Sequence, residues 1–217
     1  MAGRLALIAG SAVREIELPR GDWELLQRHG QGDEYVLPHL IDHAANLGAL
    51  VDAGCDRVLA LGSVGTLRPR HVPGTFLCPD DFIAFGPVAT TRADAEAHRV
   101  PGFDPVWRRR VMAAWRDAAG VELRDGGVYW QARGPRLETV AEIRLIAEHA
   151  DVIGMTIGSE CVIARELGLA YAAVCVVDNF ANGVEGEEFT LERVLAGQAR
   201  NHARLARSLR SLLPRLA

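Results

Sequence analysis

The feature that most constrains the fold of this chain is the alternation of short apolar runs with stretches of helical periodicity. The apolar runs end at glycines or polar corners, which is typical of strand ends. Strands that alternate with helices predict an α/β fold. The predicted strands are Leu5–Ala9, Arg57–Leu61, two pieces within Phe76–Phe85, Gly127–Trp130, Val152–Gly154 and Tyr171–Val177, and the predicted helices are His39–Ala53, Val106–Ala119, Thr139–His149, Glu160–Leu167 and Thr190–Leu213.

This pattern predicts a single domain over residues 1–217, with a central mixed, largely parallel sheet and helices on both of its faces. A chain of 217 residues with 49% hydrophobic content can bury a core without a disulfide or metal staple. Because ligand sites in such sheets lie beyond the carboxyl ends of the strands, the loops after the strands are the places to search for chemistry.

Composition excludes several classes of protein. Lysine and arginine number 24 against 28 acidic residues, so the formal net charge of -4 argues against a nucleic-acid partner. The absence of a run of about 20 apolar residues argues against a membrane partner. The apolar stretch Leu5–Ala9 is short for a signal peptide, and the four scattered cysteines contain no CxxC pair. We therefore expect a cytoplasmic protein with buried thiols and no metal site.

Several strand ends carry groups that suit an anion. Small residues at Gly10–Ser11 and Gly62–Thr66 would let backbone N–H groups approach a ligand. Arg28–His29 adds a cation, and Thr156 adds a hydroxyl. Each feature alone is more often a turn, a solvated loop or a cap. Together they make an anion pocket a reasonable hypothesis.

Two further polar positions follow the same logic. Glu138 directly precedes a predicted helix, where a carboxylate also interacts favourably with the helix dipole. Asp178 and Asn179 follow a strongly apolar strand and could point into a site or simply form a turn. Met155 and Tyr129 could pack against a flat ligand, although a core position is the better default for both.

Taken together, these segments resemble the trimeric nucleoside phosphorylase family, which includes purine nucleoside phosphorylase and 5'-methylthioadenosine or methylthioinosine phosphorylase. Residues 127–142, with the sequence GVYWQARGPRLETVAE, are similar to the base-site segment of that family. Residues 150–156, ADVIGMT, together with Glu160, are similar to its ribose and phosphate segment. Looser similarity extends to residues 28–30, 38–47 and 63–65.

The resemblance implies phosphorolysis of a purine ribonucleoside by a homotrimer. Inorganic phosphate would be the cosubstrate, and no cofactor would be required. By matched positions, the implied phosphate-binding residues are Ser11, Arg28, His29, Ser63 and Thr156; the ribose-binding residues are Met155 and Leu191; the purine-binding residues are Leu137, Glu138 and Asn179; and the catalytic residues are Asn179 and Asp178.

The resemblance also bears on substrate preference. Glutamate with asparagine is the family's 6-oxopurine pattern, and the 6-aminopurine members place an aspartate where this chain has Asn179. The neighbouring Asp178 leaves 5'-methylthioadenosine or adenosine open. Leu191 matches the position of a histidine that contacts the 5'-hydroxyl, so an apolar 5'-methylthio or 5'-deoxy group is favoured.

Some motifs depart from the family pattern. Ser159 replaces a proline, and Asp33 and Glu34 stand where a cation is expected. Negative charge beside a phosphate pocket would weaken anion binding. Two alternatives therefore stay open: a purine nucleoside N-ribohydrolase with Asp33 or Glu34 as the base, and a non-catalytic nucleoside-binding protein.

Overall fold

The centre of the molecule is a pair of long apolar strands, Cys55–Thr66 and Ala170–Phe180. The structure is a computed structural model that describes residues 3–13, 16–30, 35–86, 90–118, 120–185 and 189–217. Its strands are β1 Arg4–Ala9, β2 Trp23–Gln27, β3 Cys55–Thr66, β4 Phe76–Cys78, β5 Asp81–Ala84, β6 Leu123–Asp125, β7 Val128–Gln131, β8 Val152–Gly154 and β9 Ala170–Phe180. Its helices are α1 His43–Asp52, α2 Pro105–Ala118, α3 Val140–Ile146, α4 Ile157–Leu167 and α5 Leu191–Leu216, with short 3-10 turns at Ser11–Val13, Pro38–Leu40 and Ala95–Ala97.

These strands form one sheet in the order β5-β7-β8-β3-β9-β4-β6, and β1 pairs with both β3 and β2. The β3–β8 and β4–β9 pairings are antiparallel, and the other pairings between described strands are parallel. The predicted mixed, largely parallel sheet is therefore confirmed.

Helices cover both faces of the sheet, as predicted. On one face, Trp115 of α2 and Leu209 of α5 pack in the same buried cluster as Leu59 of β3. On the other face, Leu47 of α1 and Ile157 of α4 form a second buried cluster. Apolar residues at helical spacing thus bury one side of each helix. In the described ranges, no helix combines the length and the apolar character needed to cross a bilayer.

Two predicted helix starts differ from those in the structure. The first helix begins at His43 rather than His39, because the Asp42 side chain accepts a hydrogen bond from the backbone N–H of Ala45 and caps it there. Pro38 opens a separate 3-10 turn. The fourth helix begins at Ile157, three residues before the predicted Glu160. Strands β2 and β6 were not predicted.

The two central strands extend further than predicted. The expected loop Gly62–Thr66 is the end of β3, and Asp178 and Asn179 lie within β9. The two strands stay paired as far as Thr66 and Phe180, with a register shift after Val64 that leaves Asp178 as the extra residue on β9. Such irregularities re-aim side chains next to functional sites.

Helix α5 crosses β9 at Gly197, which is buried against the backbone of Asp178. A Cβ at this position would overlap the carbonyl oxygen of Asp178. We expect Gly197→Ala to force the helix away from the strand and to lower the free energy of unfolding by about 1–3 kcal/mol, as other overpacked positions do. Urea unfolding would measure this change.

The matched control is Gly48→Ala in α1. A Cβ on Gly48 would meet no atom within 4 Å. Because alanine favours the helix, this control is expected to stabilise the protein by up to about 1 kcal/mol. A Gly197→Ala protein as stable as the Gly48→Ala protein would contradict the close helix–strand crossing.

Candidate active site

A cavity of about 900 Å³ opens where β1, β2, β3 and β9 end, beside the first turns of α5. Nearly all the residues that the resemblance implicated line this one cavity. They are Ser11, Arg28, His29, Ser63, Leu137, Glu138, Met155, Thr156, Asn179 and Leu191. The cavity brings them together from positions up to 180 residues apart in the sequence, counted from Ser11 to Leu191. Their individual roles stay predictions.

Arg28 is only 3% exposed, and its guanidinium is held by three hydrogen bonds. Its Nε and Nη2 donate hydrogen bonds to the two carboxylate oxygens of Glu160, at 2.5 and 2.9 Å, and its Nη1 donates to the carbonyl of Leu61 at 2.7 Å. The Tyr171 hydroxyl also donates to Glu160, at 2.6 Å. A guanidinium carries five N–H donors, so Arg28 keeps two for a ligand.

The electrostatics of this buried pair differ from the expected fixed cation. Burial alone would raise the pKa of Glu160, but the adjacent charge and hydrogen bonds of Arg28 outweigh it and hold that pKa below its usual value. Glu160 is therefore ionised and balances the charge of Arg28. Arg28 thus offers a ligand N–H donors but little net positive charge.

His29 and Thr156 are positioned by aromatic neighbours. The Nδ1 of His29 lies 2.9 Å from the carbonyl oxygen of Val36, and its ring stacks on Tyr35 with centroids 4.7 Å apart. The backbone N–H of Thr156 donates to the Tyr129 hydroxyl at 3.2 Å. Tyr129 is itself buried in the core, so it supports the wall of the cavity from behind.

A chain of hydrogen bonds links the two serines to the last helix. The Gln198 side-chain amide donates to the hydroxyls of both Ser11 and Ser63, at 3.1 Å each. Ser63 in turn donates to Asp178 at 2.5 Å, and the Asn201 amide donates to the other oxygen of Asp178 at 2.7 Å. Gln198 and Asn201 were missed from the sequence. The available signal was polar residues, spaced by three, on the inner side of an amphipathic helix.

Asp178 and Asn179 have different surroundings. Asn179 lines the cavity, and its Nδ2 donates to the carbonyl of Phe180 at 2.8 Å. Asp178 is fully buried and does not line the cavity; it contacts the site through Ser63. Burial raises the pKa of Asp178 to about 6, against the opposing effect of its hydrogen bonds to Ser63 and Asn201.

The same cavity carries the groups implicated in base binding. Glu138 is half-buried, and burial raises its pKa. Its backbone carbonyl accepts a hydrogen bond of 2.9 Å from the Asn182 side chain, which ties the loop before α3 to the loop after β9. Glu138 and Asn179 therefore share one cavity, as a base-binding pair requires.

Leucines form the rim of the cavity. Leu37 and Leu137 are each 41% exposed, Leu191 is 59% exposed and Leu195 is 54% exposed. Asp33 and Glu34, the predicted bases of the hydrolase alternative, lie outside the described residues. Within the described ranges, no group of three or more His, Cys, Asp or Glu side chains is arranged to hold a metal ion. The expectation of a metal-free reaction stays a prediction.

Comparison with known proteins agrees with this geometry. Residues 15–214 match the family model described as the phosphorylase superfamily. The chain is 42% identical over 183 residues to a probable 6-oxopurine nucleoside phosphorylase of Archaeoglobus fulgidus, covering 84% of this chain and 74% of that protein. It is 39% identical over 180 residues to a probable S-methyl-5'-thioinosine phosphorylase of Xanthomonas campestris, covering 79% of this chain and 71% of that protein.

The fold also matches a solved structure. A methylthioadenosine phosphorylase from Schistosoma mansoni, in complex with adenine, superposes with a TM-score of 0.81 at 22% identity. The match covers 98% of this chain and 91% of that one. At this level of identity the likeness concerns the fold.

Proposed function

Because this chain belongs to the phosphorylase superfamily, we propose that it cleaves the N-glycosidic bond of a purine ribonucleoside with phosphate. The products are the free purine and the ribose 1-phosphate, or the corresponding 5-methylthioribose 1-phosphate. The observation that carries this proposal is that one cavity holds two sets of groups. One set, called here the oxyanion corner, would bind phosphate and comprises Ser11, Arg28, His29, Ser63 and Thr156. The other set is the carboxylate of Glu138 and the amide of Asn179, which would bind the base.

In the proposed reaction, phosphate is the nucleophile and no cofactor takes part. Ser11, Arg28, His29, Ser63 and Thr156 would hold phosphate beneath the sugar. A phosphate oxygen bonds to C1' as the bond from C1' to the purine nitrogen breaks, and the bonding electrons leave with the purine. The phosphate dianion stabilises the oxocarbenium-like sugar. The Asn179 amide would donate a hydrogen bond to N7, where negative charge develops.

We propose a 6-oxopurine as the base. The Glu138 carboxylate would accept the N1–H of such a base, whereas a 6-aminopurine presents a lone pair at N1. Glu138→Gln removes a charged hydrogen bond and is expected to lower kcat/KM for inosine by about 10- to 100-fold. Steady-state kinetics with inosine and adenosine would measure it, and the loss should be smaller for adenosine.

A suitable control for this variant is Glu148→Gln, which removes an exposed carboxylate outside the cavity. Its activity should match the unmodified protein. Equal losses for inosine and adenosine in Glu138→Gln would contradict the assigned contact to N1.

The test of the proposed function is base release from inosine, methylthioinosine and methylthioadenosine, with and without phosphate. We expect release to require phosphate and to be fastest with a 6-oxopurine. Release without phosphate would instead indicate an N-ribohydrolase. Tight nucleoside binding without turnover would indicate a non-catalytic nucleoside-binding protein.

The rim supports two further parts of the proposal. Leu191 and Leu195 give part of the cavity an apolar lining, which would suit a 5'-methylthio group of the sugar. Because these leucines are more than half exposed in one chain, a neighbouring subunit would remove apolar surface from water. We propose a homotrimer, which light scattering would test by its mass. The four unpaired, buried cysteines suit the reducing cytoplasm that we propose as its location.

A further inference from the structure

The hydroxyl of Ser63 has its single proton committed to a buried carboxylate. Ser63 Oγ donates to Asp178 Oδ2 at 2.5 Å, and Asp178 Oδ1 accepts from Asn201 at 2.7 Å. Asp178 thus receives a donor at each oxygen, as an ionised carboxylate does. Its pKa of about 6, raised by burial and opposed by these hydrogen bonds and the charge of Arg200, leaves it ionised above neutral pH.

The two serines of the oxyanion corner present opposite hydrogen-bonding groups to a ligand: Ser63 presents an acceptor and Ser11 presents a donor. A hydroxyl has one proton and two lone pairs. In Ser63 the proton goes to Asp178 and one lone pair accepts from Gln198, which leaves a lone pair for the cavity. In Ser11 a lone pair accepts from Gln198, so its proton is available to a ligand in this network of described side chains.

We propose that this corner selects a protonated oxyanion: hydrogen phosphate donates its P–OH to Ser63, while Ser11 donates to an unprotonated phosphate oxygen. This selection rests on the proposed function, because it concerns the cosubstrate of that reaction. The corner would discriminate hydrogen phosphate from sulfate, which has the same shape and charge but no proton to donate.

The penalty for sulfate follows from the same hydrogen bonds. A sulfate oxygen placed against Ser63 would face a lone pair instead of a donor, and no hydrogen bond could form there. The negative charge of Asp178 lies behind Ser63 and repels both dianions, so it does not by itself distinguish them. Discrimination between phosphate and sulfate therefore depends on the proton of the ligand. The loss of one hydrogen bond in a buried site lowers affinity by about 5- to 100-fold.

The experiment is titration calorimetry of the full chain with inorganic phosphate and with sulfate at about pH 8, where phosphate retains one proton and Asp178 is ionised. We expect phosphate to bind at least about tenfold more tightly than sulfate. In Asp178→Asn, the new side-chain amide can accept from Asn201 and donate to Ser63, which frees the Ser63 proton for the cavity. The phosphate-to-sulfate ratio should then fall by at least about fivefold, mainly through tighter sulfate binding.

Two variants make the result specific. Ser11→Ala is the matched control: it removes a donor that serves both anions, so both affinities should fall by similar factors and the ratio should persist. Ser63→Ala removes the acceptor; it also removes the hydrogen bond to Asp178 Oδ2 but keeps that carboxylate in place, and it should lower the ratio even if Asp178→Asn does not fold. Any of three results would overturn the selection. The phosphate-to-sulfate affinity ratio could be near one in the unmodified protein, or it could stay unchanged in both Ser63→Ala and a folded Asp178→Asn. The third such result is that the unmodified protein binds neither anion.

Calorimetry separates this inference from the proposed function, because anion binding requires no turnover. Suppose that the rate of base release does not depend on phosphate, but that the protein still binds phosphate more tightly than sulfate. This result would contradict phosphorolysis and leave the selection intact. Phosphate-dependent turnover with a ratio near one would contradict the selection alone.

Discussion

Replacing Asn179 with alanine is expected to lower kcat/KM for inosine by about 10²–10⁴, the usual contribution of a positioned proton or hydrogen-bond donor. Asn179 lines the cavity from the end of β9, and the Phe180 carbonyl engages its amide at 2.8 Å and orients it. The negative charge on the departing purine would lose its donor at N7. Steady-state kinetics at saturating phosphate would measure the change.

Two further variants sharpen this prediction. Leu195→Ala changes the same cavity without removing a polar group, and it should alter kcat/KM only a few-fold for inosine. Asn179→Asp places a carboxyl beside N7 and the 6-substituent of the base, where it would face the acceptor O6 of an oxopurine but could accept from the N6 amino group of adenosine, so it should shift preference toward adenosine. Unchanged inosine kinetics in Asn179→Ala would show that the N7 donor lies elsewhere.

Glu160→Gln is expected to produce the largest loss of stability, about 3–5 kcal/mol. Both oxygens of Glu160 accept hydrogen bonds, from Arg28 and Tyr171, so an amide would place a donor against a donor. Arg28 would also be left as a buried charge without a counter-ion. For a chain of this size, the melting temperature should fall by about 10 °C.

The free energy of unfolding that the Arg28–Glu160 pair contributes changes with pH in a definite direction. The folded state holds the pKa of Glu160 below its ordinary value because the neighbouring Arg28 outweighs the effect of burial. The stability from this pair is therefore present at neutral pH and is lost as the pH falls through the folded pKa. The unmodified protein and Glu160→Gln should thus converge in stability in acid.

A second Arg–Glu pair provides the control. Glu24 lies 2.8 Å from Arg4 at the surface, and both side chains are partly exposed. Because solvent screens such pairs, Glu24→Gln should cost no more than about 1 kcal/mol. If Glu160→Gln were no more damaging than Glu24→Gln, the buried pair would not stabilise the fold as described.

Much of the site could be predicted because many of its residues directly follow a strand, and strand ends are recognisable from a few neighbouring residues. Ser11 follows β1 and Thr156 follows β8, and each could be identified from the glycine or apolar pattern around it. The helix cap at Asp42 was missed because several residues near Pro38 could begin a helix, and only the hydrogen bond to Ala45 selects one. Gln198 and Asn201 were missed because a polar residue on a helix does not reveal which strand it meets.

The sequence by itself determined the alternation of strands and helices, the two-sided covering of the sheet and the set of polar corners, because apolar periodicity and turn residues act locally. Only the tertiary structure decided that Arg28 is neutralised by Glu160, 132 residues away, and that Ser63 donates to Asp178. Those contacts depend on strand order and on the register between β3 and β9. The alternation of apolar residues restricts the register of a strand, but which distant strands pair, and with what irregularity, depends on the packing of the whole sheet.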